Sequence, residues 1–274
     1  MKIVVLSDLH FISQNDPRKK MIENRKFLRD GWGSFRMLAG KIRDEAPDLV
    51  VSTGDLVDWY SNENRDFALE MLSEMRTPWV ATPGNHDYST YTWDEAQGKD
   101  IPVKGGSFEP TADPLWKAAG VDFSNRVIDA DGAKLILVHS AFSGVAAGTG
   151  DWMNSVTAGC DFGGSGGDIP ILFTHVPINT KPVWDYILGE EPDRDMDKYI
   201  MSKSPELFDQ SIRGKIPQVY TGHLHFPGEV EAFGTHMHMQ GLSVVMVGRS
   251  KPGMGKAAVF DTRRVGEVRT LSIG

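Results

Sequence analysis

The chain has a single cysteine, Cys160, which excludes an internal disulfide framework. It has no apolar run long enough to cross a bilayer. Met1–Asp8 offers one positive charge, too short an apolar run for a secretory leader and no small-residue cleavage site, so a cytoplasmic protein is expected. Positive charge is also scarce. Lys and Arg number 29 against 37 Asp and Glu, a formal net charge of −8. Binders of long nucleic acid present a basic surface, so this balance argues against that class while leaving room for a nuclease with a local basic groove. Repeats, charge tracts and low-complexity segments are absent. What remains is an ordinary globular composition, 40% hydrophobic and 24% charged over 274 residues, enough for one large α/β domain or two small ones.

The informative pattern is a set of apolar runs that each stop at polar residues. Lys2–Leu6 reads as a buried strand ending in Ser7-Asp8-Leu9-His10. Asp8 and His10, two apart, share one side in extended geometry. They fit half of a metal site, and equally a polar strand end facing water. Trp32, Phe35, Leu38, Ala39 and Ile42 keep helical spacing up to Pro47. A second strand, through Val50 and Val51, ends in Gly54-Asp55-Leu56-Val57-Asp58. A second helix over 62–76 leads to Trp79–Thr82 and then to Gly84-Asn85-His86-Asp87. Strand, helix, strand, helix, strand predicts a parallel sheet with crossover helices.

Irregular insertions are expected around 88–125, 142–168 and 178–204 within a single domain spanning 1–274. Between them, residues 126–138 read as a hairpin turning at Asp131-Gly132 and ending in His139. Ile169–Thr174 ends in His175, and Gln218–Thr221 ends in Gly222-His223-Leu224-His225. Beyond these, alternating segments, Val244–Val247 among them, predict antiparallel strands closing a second sheet.

Five strand ends thus carry Asp8/His10, Asp55, Asn85/His86, His175 and His223/His225. In this order, from Asp8 to His225, the set resembles the calcineurin-like metallophosphoesterase superfamily. Two divalent metals about 3.5–4 Å apart can clamp a phosphoryl group and generate hydroxide at neutral pH. A mixed nitrogen and oxygen donor set suits Mn, Fe, Zn, Co or Ni. The resemblance implies a four-layer α/β/β/α fold of two mixed sheets flanked by helices. It implies one metal on Asp8, His10, Asp55 and His225, a second on Asp55, Asn85, His175 and His223, and Asp55 as their bridge. It implies His86 as the acid beside the leaving group, oriented by Asp87, with a metal-bridged hydroxide attacking in line.

Phosphoprotein phosphatases of this superfamily carry Asp-Arg-Gly after Gly-Asp-x-Val, and Glu after Gly-Asn-His. This chain reads Asp58-Trp59-Tyr60 and Asp87, so that phosphate-binding arginine is missing. The pattern is closer to class III cyclic nucleotide phosphodiesterases, although their common arginine two residues after the Asp is Ser89 here. The expectation is a metal-dependent phosphodiesterase acting on a small phosphoester, without membrane or extended nucleic-acid partners. Alternatives are a phosphomonoesterase, a nuclease built on Arg249, Lys251, Arg263 and Arg264, or a non-catalytic scaffold. His139 reads either as a residue behind the site or in contact with substrate, or as a satisfied strand end. Trp59 and Tyr60 read as pocket lining or packing. His236 and His238 share a strand face expected to meet solvent.

Overall fold

The computed structural model describes residues 1–103, 111–160, 167–248 and 253–273. Two main sheets face each other. The first has the order β13 (Arg269–Ser272), β12 (Lys256–Asp261), β1 (Lys2–Leu6), β2 (Leu49–Ser52), β3 (Trp79–Ala81). Its β1, β2 and β3 are parallel and β12 is antiparallel to β1. The second has the order β10 (Gly228–Ala232), β11 (Thr235–Met239), β9 (Gln218–Thr221), β8 (Ile169–Phe173), β7 (Ala133–Leu137), β6 (Arg126–Ala130). Its four inner strands are parallel, with antiparallel strands at both edges.

The apolar runs are continuous because both faces of these strands are covered. Ile3, Val5, Leu49 and Val51 point inward against Leu135, Leu137, Ile171 and Phe173 of the other sheet. Their neighbours Val4, Leu6 and Val50 point outward to a helical layer. Tyr220 stacks between Phe173 and Phe260, ring centroids 5.4 and 5.2 Å away. Burying one such phenylalanine contributes roughly 1.5–3 kcal/mol.

The outer face of the first sheet is covered by α1 (Lys19–Asn24), α2 (Lys26–Arg29), α3 (Trp32–Glu45), α4 (Asn62–Ser73) and α5 (Ala112–Ala118). The second is covered by α6 (Thr149–Thr157), α7 (Lys181–Glu190) and α8 (Met196–Tyr199). The result is the expected four-layer α/β/β/α sandwich. Helix ends follow local chemistry. The Ser61 hydroxyl accepts from Asn64 N at α4, and Thr180 accepts from Val183 N at α7. Ala46 turns left-handed (φ 48°) to end α3 before Pro47.

Several expectations change. The stretches 142–168 and 178–204 contain α6, α7 and α8, whose apolar stripes are short and interrupted by Trp, Asn and Gly. The stretch 88–125 contains α5 and a small hairpin, β4 (Tyr91–Asp94) with β5 (Lys99–Pro102); its residues 104–110 lie outside the described residues, as do 161–166. Residues Phe208–Ile212 form a π-helical turn. Residues 244–247 form no strand. The tail does not close the second sheet alone: β10 and β11 do, while β12 and β13 return to flank β1. His238 is not solvent-facing. It stacks on Tyr220 at 4.7 Å and bonds to Gln218 Oε1 at 2.7 Å, because β11 pairs with β9 in the sheet interior.

Candidate metal centre

The parallel strands β1, β2, β3, β8 and β9 release their polar residues at one edge of the two sheets, where an open α/β sheet places its site. Five of these residues have left-handed backbone: Asp8 (φ 51°), His10 (47°), Asp55 (53°), His223 (73°) and His225 (64°). Each such conformation costs a non-glycine residue roughly 1–2 kcal/mol. Strain of this kind persists only where surrounding bonds fix it, and it collects at functional sites. Here the bonds are visible. His10 N donates to Asp55 O at 2.9 Å, Asp8 N to Gly54 O at 3.0 Å, and His223 N to the Asp8 carboxylate at 3.1 Å.

Two glycines make room. A Cβ on Gly84 would stand 2.0 Å from Asp55 Oδ1, and one on Gly222 would stand 2.0 Å from Ser7 Oγ and 2.6 Å from Asp8 Oδ2. The Gly before Asn85-His86 and the Gly before His223 are therefore required by close approach of the chain.

The side chains converge in two groups that share Asp55. Asp8, His10, Asp55 and His225 form one; Asp55, His175 and His223 form the other. Asp55 Oδ2 lies 3.5 Å from His10 Nε2 and 3.4 Å from His175 Nε2, between the two groups. His10 Nε2 faces His225 Nε2 at 2.9 Å, and His175 Nε2 faces His223 Nδ1 at 3.1 Å. The far nitrogens decide what these near ones offer. His175 Nδ1 donates to Thr53 O at 2.8 Å, and His223 Nε2 donates to Lys198 O at 2.8 Å. His10 Nδ1 donates to Asp58 Oδ1 at 3.0 Å. With His175 and His223 both neutral, their facing nitrogens are lone pairs aimed at each other, an arrangement that calls for a cation between them; burial favours that neutral form, whereas the Asp55 carboxylate pushes His175 up to about 9 and would put a proton there. His10 likewise turns a lone pair toward His225. Asp55 Oδ2 and Asn85 Oδ1 are buried without a hydrogen-bond partner among the described residues. Orphaned oxygens beside paired imidazoles fit a transition-metal donor set.

The electrostatics carry the same conflict. Burial, with the nearby Asp55 carboxylate, pushes Asp8 up to about 6. Burial lowers His223 to about 3 and holds His225 well below the usual imidazole range, favouring the neutral, ligating form. Burial opposes ionisation of Asp55 as well, but the His175 and His86 imidazoles keep it well below the usual carboxylate range.

His86 lies beside the first group. Its Nδ1 donates to Asp58 O at 2.6 Å and sits 3.6 Å from the Asp58 carboxylate. Asp87 was expected to orient this ring. Its carboxylate instead accepts from the backbone amides of Asp55, Leu56, Val57 and Gly84 at 2.8–3.2 Å. It is wholly buried and shapes the Asp55 loop, so orientation of His86 falls to Asp58. Asp58 went unassigned in the sequence, although its place three residues after Asp55 was the available signal. Arg25 backs it, with Nε 3.6 Å from Asp58 Oδ2. His139 Nε2 pairs with Tyr88 OH at 3.0 Å, itself bonded to Asp113 at 2.6 Å, so His139 is held behind the aromatic wall of Tyr88 and Phe142. Trp59 is core, its indole N–H donating to Asp16 at 3.0 Å.

A cleft of about 680 Å³ opens onto the centre. Asp55, Asn85, His86, His223 and His225 line it, together with Tyr91, Phe142, Arg194, Tyr199 and Lys203. Arg126 does not reach it, bonding to Asp122 O and Ala81 O instead. Arg263 and Arg264 follow Asp261, the partner of Lys2, and so lie at the opposite end of β1 from Asp8. Arg249 and Lys251 lie outside the described residues. Among the described residues no helix is long and apolar enough to cross a membrane.

A family model for calcineurin-like phosphoesterases matches residues 1–227. The chain is 29% identical over 159 residues to the glycerophosphodiester phosphodiesterase GpdQ of Enterobacter lignolyticus, a match covering 57% of this chain and 49% of that one. The chain thus spans about half the length of that relative. Among solved structures it resembles a dimetal phosphatase from Danio rerio, with a TM-score of 0.58 at 11% identity, covering 100% of this chain and 99% of that one. It also resembles a purple acid phosphatase of yellow lupin, TM-score 0.56 at 13% identity, over 94% of this chain and 48% of that one.

Proposed function

The chain belongs to the calcineurin-like phosphoesterase family, and on that premise we propose that it hydrolyses small phosphodiesters at a centre holding two divalent metal ions. The family implies two metal ions, and the facing imidazole nitrogens on either side of Asp55, with the orphaned Asp55 Oδ2 and Asn85 Oδ1, are the observation that supports their placement. One ion is assigned to Asp8, His10, Asp55 and His225, the other to Asp55, Asn85, His175 and His223. When bound, such ions polarise phosphoryl oxygens and supply a hydroxide nucleophile at neutral pH.

The chain's own residues do the rest. Asp58 and the carbonyls of Thr53 and Lys198 fix the histidine tautomers so that lone pairs face inward. His86 Nδ1–H donates to Asp58 O, so Nε2 is the nitrogen left for the departing oxygen; it protonates that oxygen from the imidazolium form, which burial opposes and the Asp55 and Asp58 carboxylates favour. β12, beyond the last residue of the family match, completes the sheet of β1, which supports reading the 274 residues as one catalytic unit.

Preference for diesters follows from charge. Two divalent ions carry four positive charges; Asp8, Asp55 and the hydroxide nucleophile offset three. A singly charged diester matches the remainder, whereas a monoester dianion needs a further cation. Where related phosphatases have an arginine after Asp58, this chain buries Trp59. A missing charged hydrogen bond is worth roughly 1.5–3 kcal/mol, about ten- to a hundredfold in rate. The name of the curated relative supports the same reading. The test is kcat/KM for bis-p-nitrophenyl phosphate against p-nitrophenyl phosphate with one metal at one pH; preference for the monoester overturns it. The monoester reading has one observation in its favour. Lys203 lines the cleft with no side-chain partner among the described residues; if monoesters win, Lys203→Ala should abolish the advantage.

A further inference from the structure

Arg194 lines the substrate cleft, yet its guanidinium is committed elsewhere. Its Nη1 donates to Leu224 O at 3.2 Å, and Leu224 is the residue between His223 and His225. Its Nε pairs with Glu191 at 3.1 Å, and its side chain is only 9% exposed. The guanidinium lies over the Tyr199 ring at 3.7 Å and near the Phe226 ring at 5.2 Å. Tyr199 in turn packs on the His223 ring, centroids 5.3 Å apart. The carbonyl that fixes the His223 tautomer belongs to Lys198, in the same short helix as Tyr199.

We infer that Arg194 is a positioning residue for the metal ion on His223. It does not ligate. It ties the segment carrying Lys198 and Tyr199 to the Gly222–His225 loop, and that tie sets which nitrogen His223 offers and where its ring stands. The tie adds to the hold of the Asp8 carboxylate on His223 N in fixing a loop whose two strained residues have φ of 73° and 64°. His175 is anchored elsewhere by Thr53 of the first sheet and His10 by Asp58. His225 shares only the backbone tie at Leu224, whereas the Tyr199 ring and the Lys198 carbonyl bear on His223 alone, so the effect of Arg194 should fall mainly on the ion of His223. An arginine suits the role because its planar fork stacks on aromatic faces and donates at fixed angles, which lysine cannot reproduce.

The inference rests on the two-ion reading, and its test needs no substrate. The full chain, stripped by chelator, is titrated with Co²⁺ alone, followed by calorimetry and visible absorption. Wild type, Arg194→Met, Arg194→Lys and His223→Ala are compared. Changes in groups that orient metal ligands typically weaken binding roughly 10–100-fold. Arg194→Met should weaken by about that factor the same equivalent that His223→Ala removes, shift its absorption band, and leave the other equivalent within about threefold. Arg194→Lys should fall between. The metal-free melting temperature should stay close to wild type, since methionine keeps the apolar contact with Tyr199 and Phe226. Two equivalents bound by Arg194→Met at wild-type affinity overturn the inference, as does equal weakening of both. Should Arg194→Met not fold, wild-type affinity in Arg194→Lys overturns it equally. Fewer than two equivalents on wild type overturn the two-ion reading and this inference with it. Diester preference is untouched by the outcomes for the Arg194 variants and falls only with the two-ion reading, on whose charge count it rests.

Discussion

Replacing Gly84 by alanine adds one methyl group at the tightest point of the centre. The new Cβ would stand 2.0 Å from Asp55 Oδ1, 2.4 Å from Asp55 N and 2.6 Å from Asp55 Cγ. Ordinary contact begins near 3.4 Å, so the carboxylate must retreat by about 1.4 Å. Metal–ligand distances tolerate about 0.2 Å. The displacement exceeds that several-fold, and Asp55 is the one residue common to both ligand groups. Both ions should be lost together. The fold should survive, because overpacking one site costs roughly 1–3 kcal/mol out of the roughly 5–15 kcal/mol that hold a domain. Metal content by mass spectrometry after stripping and reloading reads the first effect, and thermal melting of the metal-free chain reads the second. Gly40→Ala is the matched control. Gly40 lies inside α3, and its Cβ would meet only Arg43 Nη2 at 3.6 Å. There the same methyl should stabilise the protein by about 0.5–1 kcal/mol and leave metal content unchanged. Two metal equivalents and full activity in Gly84→Ala would refute the placement of Asp55 between the ions.

Asp55→Asn should lose most of both metals, since a neutral amide cannot serve two cations as a carboxylate does; retention of two equivalents would rule out a bridge. His86→Ala should keep its metals and lose roughly 10²–10⁴ in kcat. The loss should be smaller for p-nitrophenyl esters than for alkyl esters, and equal losses would remove His86 as the acid. Asp58→Asn should weaken the ion assigned to His10 by roughly 10–100-fold and also lower kcat, because Asp58 holds both His10 Nδ1 and the His86 ring. Unchanged affinity in a metal titration would show that the carboxylate is dispensable.

Continuity of the apolar runs over 2–6, 48–53, 169–174 and 218–221 announced buried strands, and the structure gives them those bounds within a residue. Each polar tail follows its strand directly in the chain, so the donors at the sheet edge were legible as a list. Short helices such as α6 and α8 were not, because their stability comes from the second sheet they cover rather than from their own periodicity. The return of β12 and β13 to β1 was equally hidden. Pairing Lys2 with Asp261 depends on which sheet has an uncovered edge, which no local pattern states.

The sequence by itself named the candidate donors: carboxylates, imidazoles and one amide, each fixed to a strand end by its covalent neighbours. How they divide was implied only by resemblance; tertiary structure alone put Asp55 Oδ2 between His10 and His175, because those three strand ends are brought within a few ångströms only by sheet packing. It also decided roles that residue identity does not reveal. Asp58 rather than Asp87 holds His86, since Asp87 is consumed by four backbone amides. The carbonyls of Thr53 and Lys198 set two histidine tautomers, and a carbonyl is carried by every residue. It leaves no mark in the sequence, and only the fold can say which one points at an imidazole.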